Sequence, residues 1–186
     1  MAINSNFSEL LEKIQTTNNE VVKTFNHLNS NQINWKPSPQ EWSIGQCIEH
    51  LIVTNSHYFP ILKKVLKGEK KTFWEKLPFL PNLFGNMLLG FLENGKKKIK
   101  APKVFEPTNS TVDKDVINKF NESQNKLLEL LKQTSNLELD KTIITSPVSP
   151  IVTYSLLQAY NILTLHDRRH FEQALRIYKL TSFPKT

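Results

Sequence analysis

The sequence predicts an all-α fold: a four-helix bundle with an extra short helical segment between its second and third long helices. Three observations carry this. Apolar residues recur at three- and four-residue steps in four stretches, near 5–28, 43–67, 111–134 and 153–180, the spacing of one buried helical face. Ser43 and Gln46 stand three apart at the head of the second stretch, a capping-box signature. No Asn-Gly or Asp-Gly turn, and no convincing strand pair, is legible.

The first helix carries Phe7, Leu10, Leu11, Ile14, Val21, Phe25 and Leu28 on one side, and a loop with Pro37 and Pro39 follows. The second opens at Ser43 and buries Ile44, Cys47, Ile48, Leu51, Tyr58, Leu62 and Val65. Pro60 is expected to kink it or end its regular part, and Gly68 marks its stop. Next comes 69–109, with "LPFLPNLFGNMLLGFLENGKKKIKAPK" inside it. Leu83, Phe84, Met87, Leu88, Phe91 and Leu92 fit one short helix with a wide apolar face. The third long helix begins near Ser110–Asp113 and presents Val116, Ile117, Phe120, Leu127, Leu130 and Leu131. "SPVSP" at 146–150 is a loop, and the fourth helix runs from about Thr153 to Leu180 with Leu156, Tyr160, Leu163, Ala174 and Ile177 inward. Long helices joined in this way pack as a bundle, expected as one domain over 1–186.

The chain has 186 residues, enough to bury a core. No apolar run approaches the ~20 residues that span a bilayer, so no transmembrane segment is expected. The opening "MAINSNFSELLEK" lacks the basic and apolar regions of a secretory signal. The single cysteine, Cys47, cannot form an internal disulfide, which points to a cytoplasmic setting. The net charge of +7 is uneven: residues 63–103 hold eleven lysines and three glutamates, a net +8, while the rest is −1. The three arginines, 168, 169 and 176, all follow His166 closely.

His166 and His170 are four apart and continue the apolar stripe of the fourth helix, so they share one inward face. Two neutral imidazoles one turn apart can share a divalent metal, although the spacing also suits ordinary packed histidines. "HDRRH" puts Asp167 where a zinc protease motif has glutamate, and no later histidine completes that pattern. A third ligand must come from upstream. His27, near the end of the first helix, reads as a surface or capping residue. His50 and His57 both lie on the second helix, His50 flanking its apolar stripe. They are two turns, ~10 Å, apart, so one ion cannot use both.

"WKPSPQEWSIGQCIEHL" (35–51) followed by "LHDRRHFEQALRI" (165–177) resembles the DinB/YfiT-like superfamily of helical bundles. The shared features are a tryptophan-containing loop, the Trp42-Ser43 helix entry, a histidine early in the second helix and H-x-x-x-H in the last. The resemblance implies a divalent metal, zinc or nickel, held by His50, His166 and His170. It also implies a metal-dependent enzyme acting on a small-molecule substrate. Relatives include S-transferases that use bacillithiol, mycothiol or glutathione, a mycothiol-using isomerase and proteins described as hydrolases. A low-molecular-weight thiol is therefore a candidate cosubstrate. Three histidine ligands leave one position of a tetrahedral metal open, where water or a thiol would lose its proton more easily.

Gln46, one turn before His50, and Gln173, three after His170, are candidates to orient a ligand or substrate, although Gln46 could serve the capping box alone. Arg169, with Arg168, could bind the carboxylates of an acidic thiol or pair locally on the helix surface. Asp167 and Glu49 could hold a ligand's second ring nitrogen or be solvated charges. Cys47 reads as a small core residue, and Trp35 and Trp42 as packing at the helix entry. A non-catalytic metal- or small-molecule-binding bundle fits the same histidines.

Residues 63–103 read as a lid or a homodimer-interface element with lysines turned to water. The competing reading is an element lying on an anionic membrane surface. Phe84, Met87, Leu88, Phe91 and Leu92 are expected to be covered by the bundle or by a second subunit. No recognised nucleic-acid motif is present, so no specific nucleic-acid binding is expected.

Overall fold

All four apolar stripes become helices in the computed structural model of the chain, which describes residues 2–69, 71–76, 80–93, 102–107 and 111–185. They are α1 (Ala2–Phe25), α3 (Ile44–Leu66), α5 (Val116–Gln133) and α6 (Leu156–Tyr178), with a short α2 (Ser30–Asn34) and the inserted α4 (Leu80–Glu93). The fold is an all-α bundle. Among the described residues no helix is long and apolar enough to cross a membrane.

Local chemistry sets the helix ends. Ser43 accepts from the Gln46 backbone N–H while the Gln46 side chain accepts from the Ser43 N–H, so α3 starts as its capping box predicts. The same reciprocal pair, Ser155 with Gln158, starts α6. Asn29 with Gln32 starts α2, an unpredicted helix whose five residues are too few to show periodicity. Gly68, at φ 64°, adopts the left-handed conformation that ends α3. Gly45 has a different role: a Cβ there would lie 2.8 Å from the Ile33 side chain and 3.0 Å from Val112 Cβ. Its absence lets α2 and the segment before α5 approach α3 closely.

Helix α3 runs through Pro60 to Leu66, so the proline does not end it. Pro60 and Ser56 are both exposed, so the carbonyl that loses its helical donor falls on the solvent side. Three expectations need correction. First, α5 starts at Val116, later than expected. The Asp113 carboxylate accepts from the Asp115 N–H at 3.0 Å and from Lys119, holding a turn before the helix. Second, α6 starts at Leu156 because Thr153–Ser155 is a strand (β2). Third, β2 pairs antiparallel with β1 (Ile143–Thr145), Ile144 opposite Tyr154. Three-residue strands are too short for a period-two pattern to show. Tertiary burial selects them: Tyr154 is fully buried, with its hydroxyl 2.6 Å from that of Tyr58 on α3.

The core is divided. One apolar cluster contains Leu10 and Ile14 of α1, Tyr58 and Leu62 of α3, Leu127 and Leu131 of α5, and Tyr160 and Leu163 of α6. The other contains Val21 and Phe25, Ile48 and Leu51, Ile117 and Phe120, and Phe171 and Ala174. Between them each long helix contributes buried polar residues: Thr17 and Asn18, Thr54 and Asn55, Ser123 and Gln124, Thr164 and Asp167. Direct bonds join Asn18 to Asn121 (2.7 Å) and Gln124 to Asp167 (2.8 Å). A polar layer thus crosses the bundle midway along its length.

The helix α4 packs against α6 and β2. A Cβ at Gly85 would collide with the Gln158 amide, and the same amide donates to Asn86 at 3.0 Å. Leu88 and Leu92 pack on the first cluster and Phe84 is half-buried, but Met87 and Phe91 are exposed. The bundle therefore covers only part of the apolar set expected to be buried.

Candidate metal centre

The capping boxes that start α3 and α6 also set the phase of the histidines. Seven residues after Ser43, His50 points from α3 into the contact with α6, leaving 1% of its surface exposed. His166 and His170 sit one turn apart on α6 and are half-buried. The candidate ligand atoms of the three rings all lie within 4.8 Å of one another. Ring centroids are 4.8 Å (50–166), 4.5 Å (50–170) and 4.6 Å (166–170) apart. Donors bound ~2.0–2.1 Å from one tetrahedral ion need separations of ~3.4 Å, and the cluster can supply these with small side-chain adjustments.

The tautomer of His50 suits ion binding. His50 Nδ1 lies 2.5 Å from the Phe105 carbonyl oxygen. A carbonyl only accepts, so Nδ1 carries the proton and Nε2 presents its lone pair. That Nε2 is 3.0 Å from His166 Nε2. With His50 Nε2 an acceptor, His166 Nε2 donates to it. His166 Nδ1 and His170 Nδ1 are buried without a hydrogen-bond partner, so neither ring has a second contact like the one that sets the His50 tautomer. The donor set fits a divalent metal.

The electrostatics agree. Burial holds His50 below its usual range, against the opposing effect of the Phe105 carbonyl. His166 is held well below by burial, then by His170, His50 and Arg169. Burial, followed by His50 and Arg169, pushes His170 down to about 3, while Gln173 favours its charged form. The shifts all favour the neutral imidazole, the form that binds metal. Trp42 lies against the cluster, 4.9 Å from the His50 ring and stacked at 5.8 Å on His170.

The other candidate residues divide by position. Gln173 and Arg169 both act on the cluster. Gln46 is buried with its side-chain oxygen in the capping box. Arg168 pairs with Glu20 of α1 and Glu172. His27 is exposed. His57 stands outside the cluster with its ring 5.6 Å from Phe105. Cys47 is fully buried, and burial raises its thiol to about 12.

Asp167 needs a correction: it is neither a solvated charge nor a histidine partner. It is 2% exposed and points into the polar layer, where the Gln124 amide donates to it. Burial raises its carboxyl to about 7. One helical residue turns a side chain by ~100°, so Asp167 cannot share the face of His166.

Sequence reasoning missed Phe105 because its backbone carbonyl, not its side chain, makes the contact, and no side-chain pattern encodes that. It missed Gln124 as the partner of Asp167, although Gln124 lies on the inward face of the third predicted helix.

The family model described as DinB superfamily matches residues 13–174, a stretch that includes all three histidines. Comparison with curated proteins and with solved structures finds no match.

Proposed function

The chain belongs to the DinB superfamily, and on that premise we propose that it is a divalent-metal-dependent enzyme acting on a small molecule, a thiol-dependent S-transferase or a hydrolase. The observation that carries this reading is the convergence of three neutral imidazoles within 4.8 Å. His50, His166 and His170 would hold the ion, zinc or nickel being the metals these ligands suit. When bound, the metal supplies Lewis acidity that makes a water or thiol proton easier to lose.

The chain's own residues bias what could sit beside it. Three imidazoles bring no negative charge, and Arg169 adds positive potential at His166 and His170. An anionic group is therefore favoured at the site. The Phe105 carbonyl keeps His50 in the tautomer that presents Nε2. Trp42 shields the His50 and His170 rings on one side, strengthening electrostatic interactions by excluding water. Gln173, next to His170, is placed to orient a bound group.

The test is reconstitution of purified protein with zinc, nickel, manganese or iron, followed by assays of thiol conjugation to electrophiles and of ester and amide hydrolysis. Metal-dependent turnover that is lost in His166→Ala and His170→Ala is the expected result. Stoichiometric metal binding without turnover in either reaction class would overturn the enzymatic reading and leave a non-catalytic metal-binding bundle.

A further inference from the structure

Nine large apolar side chains are exposed among the described residues, and seven belong to three elements that touch one another. Phe73 (68% exposed) and Trp74 lie at the 3-10 turn Trp74–Lys76, which contacts both β1 and β2. Val148 and Ile151 lie in the β1–β2 connection. Leu83 (64%), Met87 (48%) and Phe91 (47%) form an i, i+4, i+8 stripe on α4, which packs its other side on β2 and α6. A monomer seldom leaves so many large apolar groups together without a partner.

The charge is concentrated in the same part of the chain. Residues 63–103 carry the net +8, and "KKKIK" at 96–100 begins three residues after α4 ends. Lys71 and Lys76, which bracket Phe73 and Trp74 in the chain, are exposed, whereas Lys63 lines a groove with Glu122 and Glu129 of α5. The occupant must therefore be both apolar and anionic. A second copy meeting this face about a two-fold axis would bring two +8 segments together. Nucleic acid would answer the lysines and leave the aromatic and aliphatic side chains unused.

We propose that α4, the Trp74–Lys76 turn and the β1–β2 connection form a docking face for an anionic lipid bilayer surface. Leu83, Met87, Phe91, Phe73 and Trp74 enter the headgroup boundary, and Lys71 and Lys76 meet acidic headgroups. An amphipathic face flanked by lysines binds lipid through these two contributions together. This inference does not depend on metal binding or turnover at the histidines.

The experiment is sedimentation of the full chain with vesicles of phosphatidylcholine alone and of phosphatidylcholine with phosphatidylglycerol, at low and high salt. Light scattering of the vesicle-free protein accompanies it. Binding is expected only to the acidic vesicles, and to weaken at least tenfold at high salt. Leu83→Glu/Met87→Glu/Phe91→Glu should lower the partition coefficient by about a hundredfold or more, and Lys71→Gln/Lys76→Gln by about tenfold or more, with unchanged circular dichroism. The first set alters only exposed side chains, and the second gives an independent test if the first fails to fold. Equal partition onto neutral vesicles, no partition at all, or variants that bind like wild type would overturn the proposal. A vesicle-free dimer that the glutamate variant dissociates would also overturn it and assign the face to a second copy.

Discussion

Replacing His50 with alanine separates a structural histidine from a metal ligand. The substitution removes a side chain that is 1% exposed and takes the donor from the Phe105 carbonyl 2.5 Å away. A buried group left unsatisfied costs ~1–3 kcal/mol. In a chain of this size each kcal/mol lowers Tm by ~2–4 °C, so the metal-free variant should melt roughly 2–12 °C below metal-free wild type. The ligand role adds a separate effect. Metal at a hundred times its Kd stabilises the folded state by ~2.7 kcal/mol, raising the Tm of wild type by roughly 5–11 °C. His50→Ala should lose nearly all of that increment at the same metal concentration. His57→Ala should keep it, because His57 packs on Phe105 outside the cluster. Differential scanning calorimetry with and without zinc or nickel measures both effects. A His50→Ala protein that melts lower yet retains the full increment would refute ligation by His50, as would a His57→Ala protein that loses it.

Three further outcomes test the packing around the site. Gly45→Ala places a methyl group 2.8 Å from the Ile33 side chain and 3.1 Å from the Ile33 carbonyl oxygen. Urea denaturation should show ~1–3 kcal/mol of destabilisation from overpacking. Tyr154→Phe strands the buried Tyr58 hydroxyl, now bonded at 2.6 Å, and should cost ~1–3 kcal/mol, whereas Tyr58→Phe/Tyr154→Phe should cost less than the sum of the two single changes. Cys47, with its thiol raised to about 12 by burial, should resist a disulfide reagent at pH 8 until denaturant opens the bundle; fast labelling of native protein would contradict its placement.

The sequence by itself determined the helices that have long stripes and marked ends. Ser43 with Gln46 and the left-handed Gly68 set the ends of α3 within a residue or two, because capping is a contact between near neighbours. It also determined that His166 and His170 share a face, since a four-residue step is one helical turn. Choosing His50 rather than His57 rested on resemblance, because a stripe gives the phase of a helix and not its height against another helix. Only the tertiary structure decided that height: α3 and α6 bring His50, and not His57, level with His166 and His170. It also decided the two-stranded ribbon, the turn of Asp167 into a polar layer, the Phe105 carbonyl at His50 and the exposed stripe of α4. Each depends on groups far apart in the chain and on backbone atoms that every residue shares. One-dimensional spacing carries no signal for such contacts, and they arise only when packing brings those atoms together.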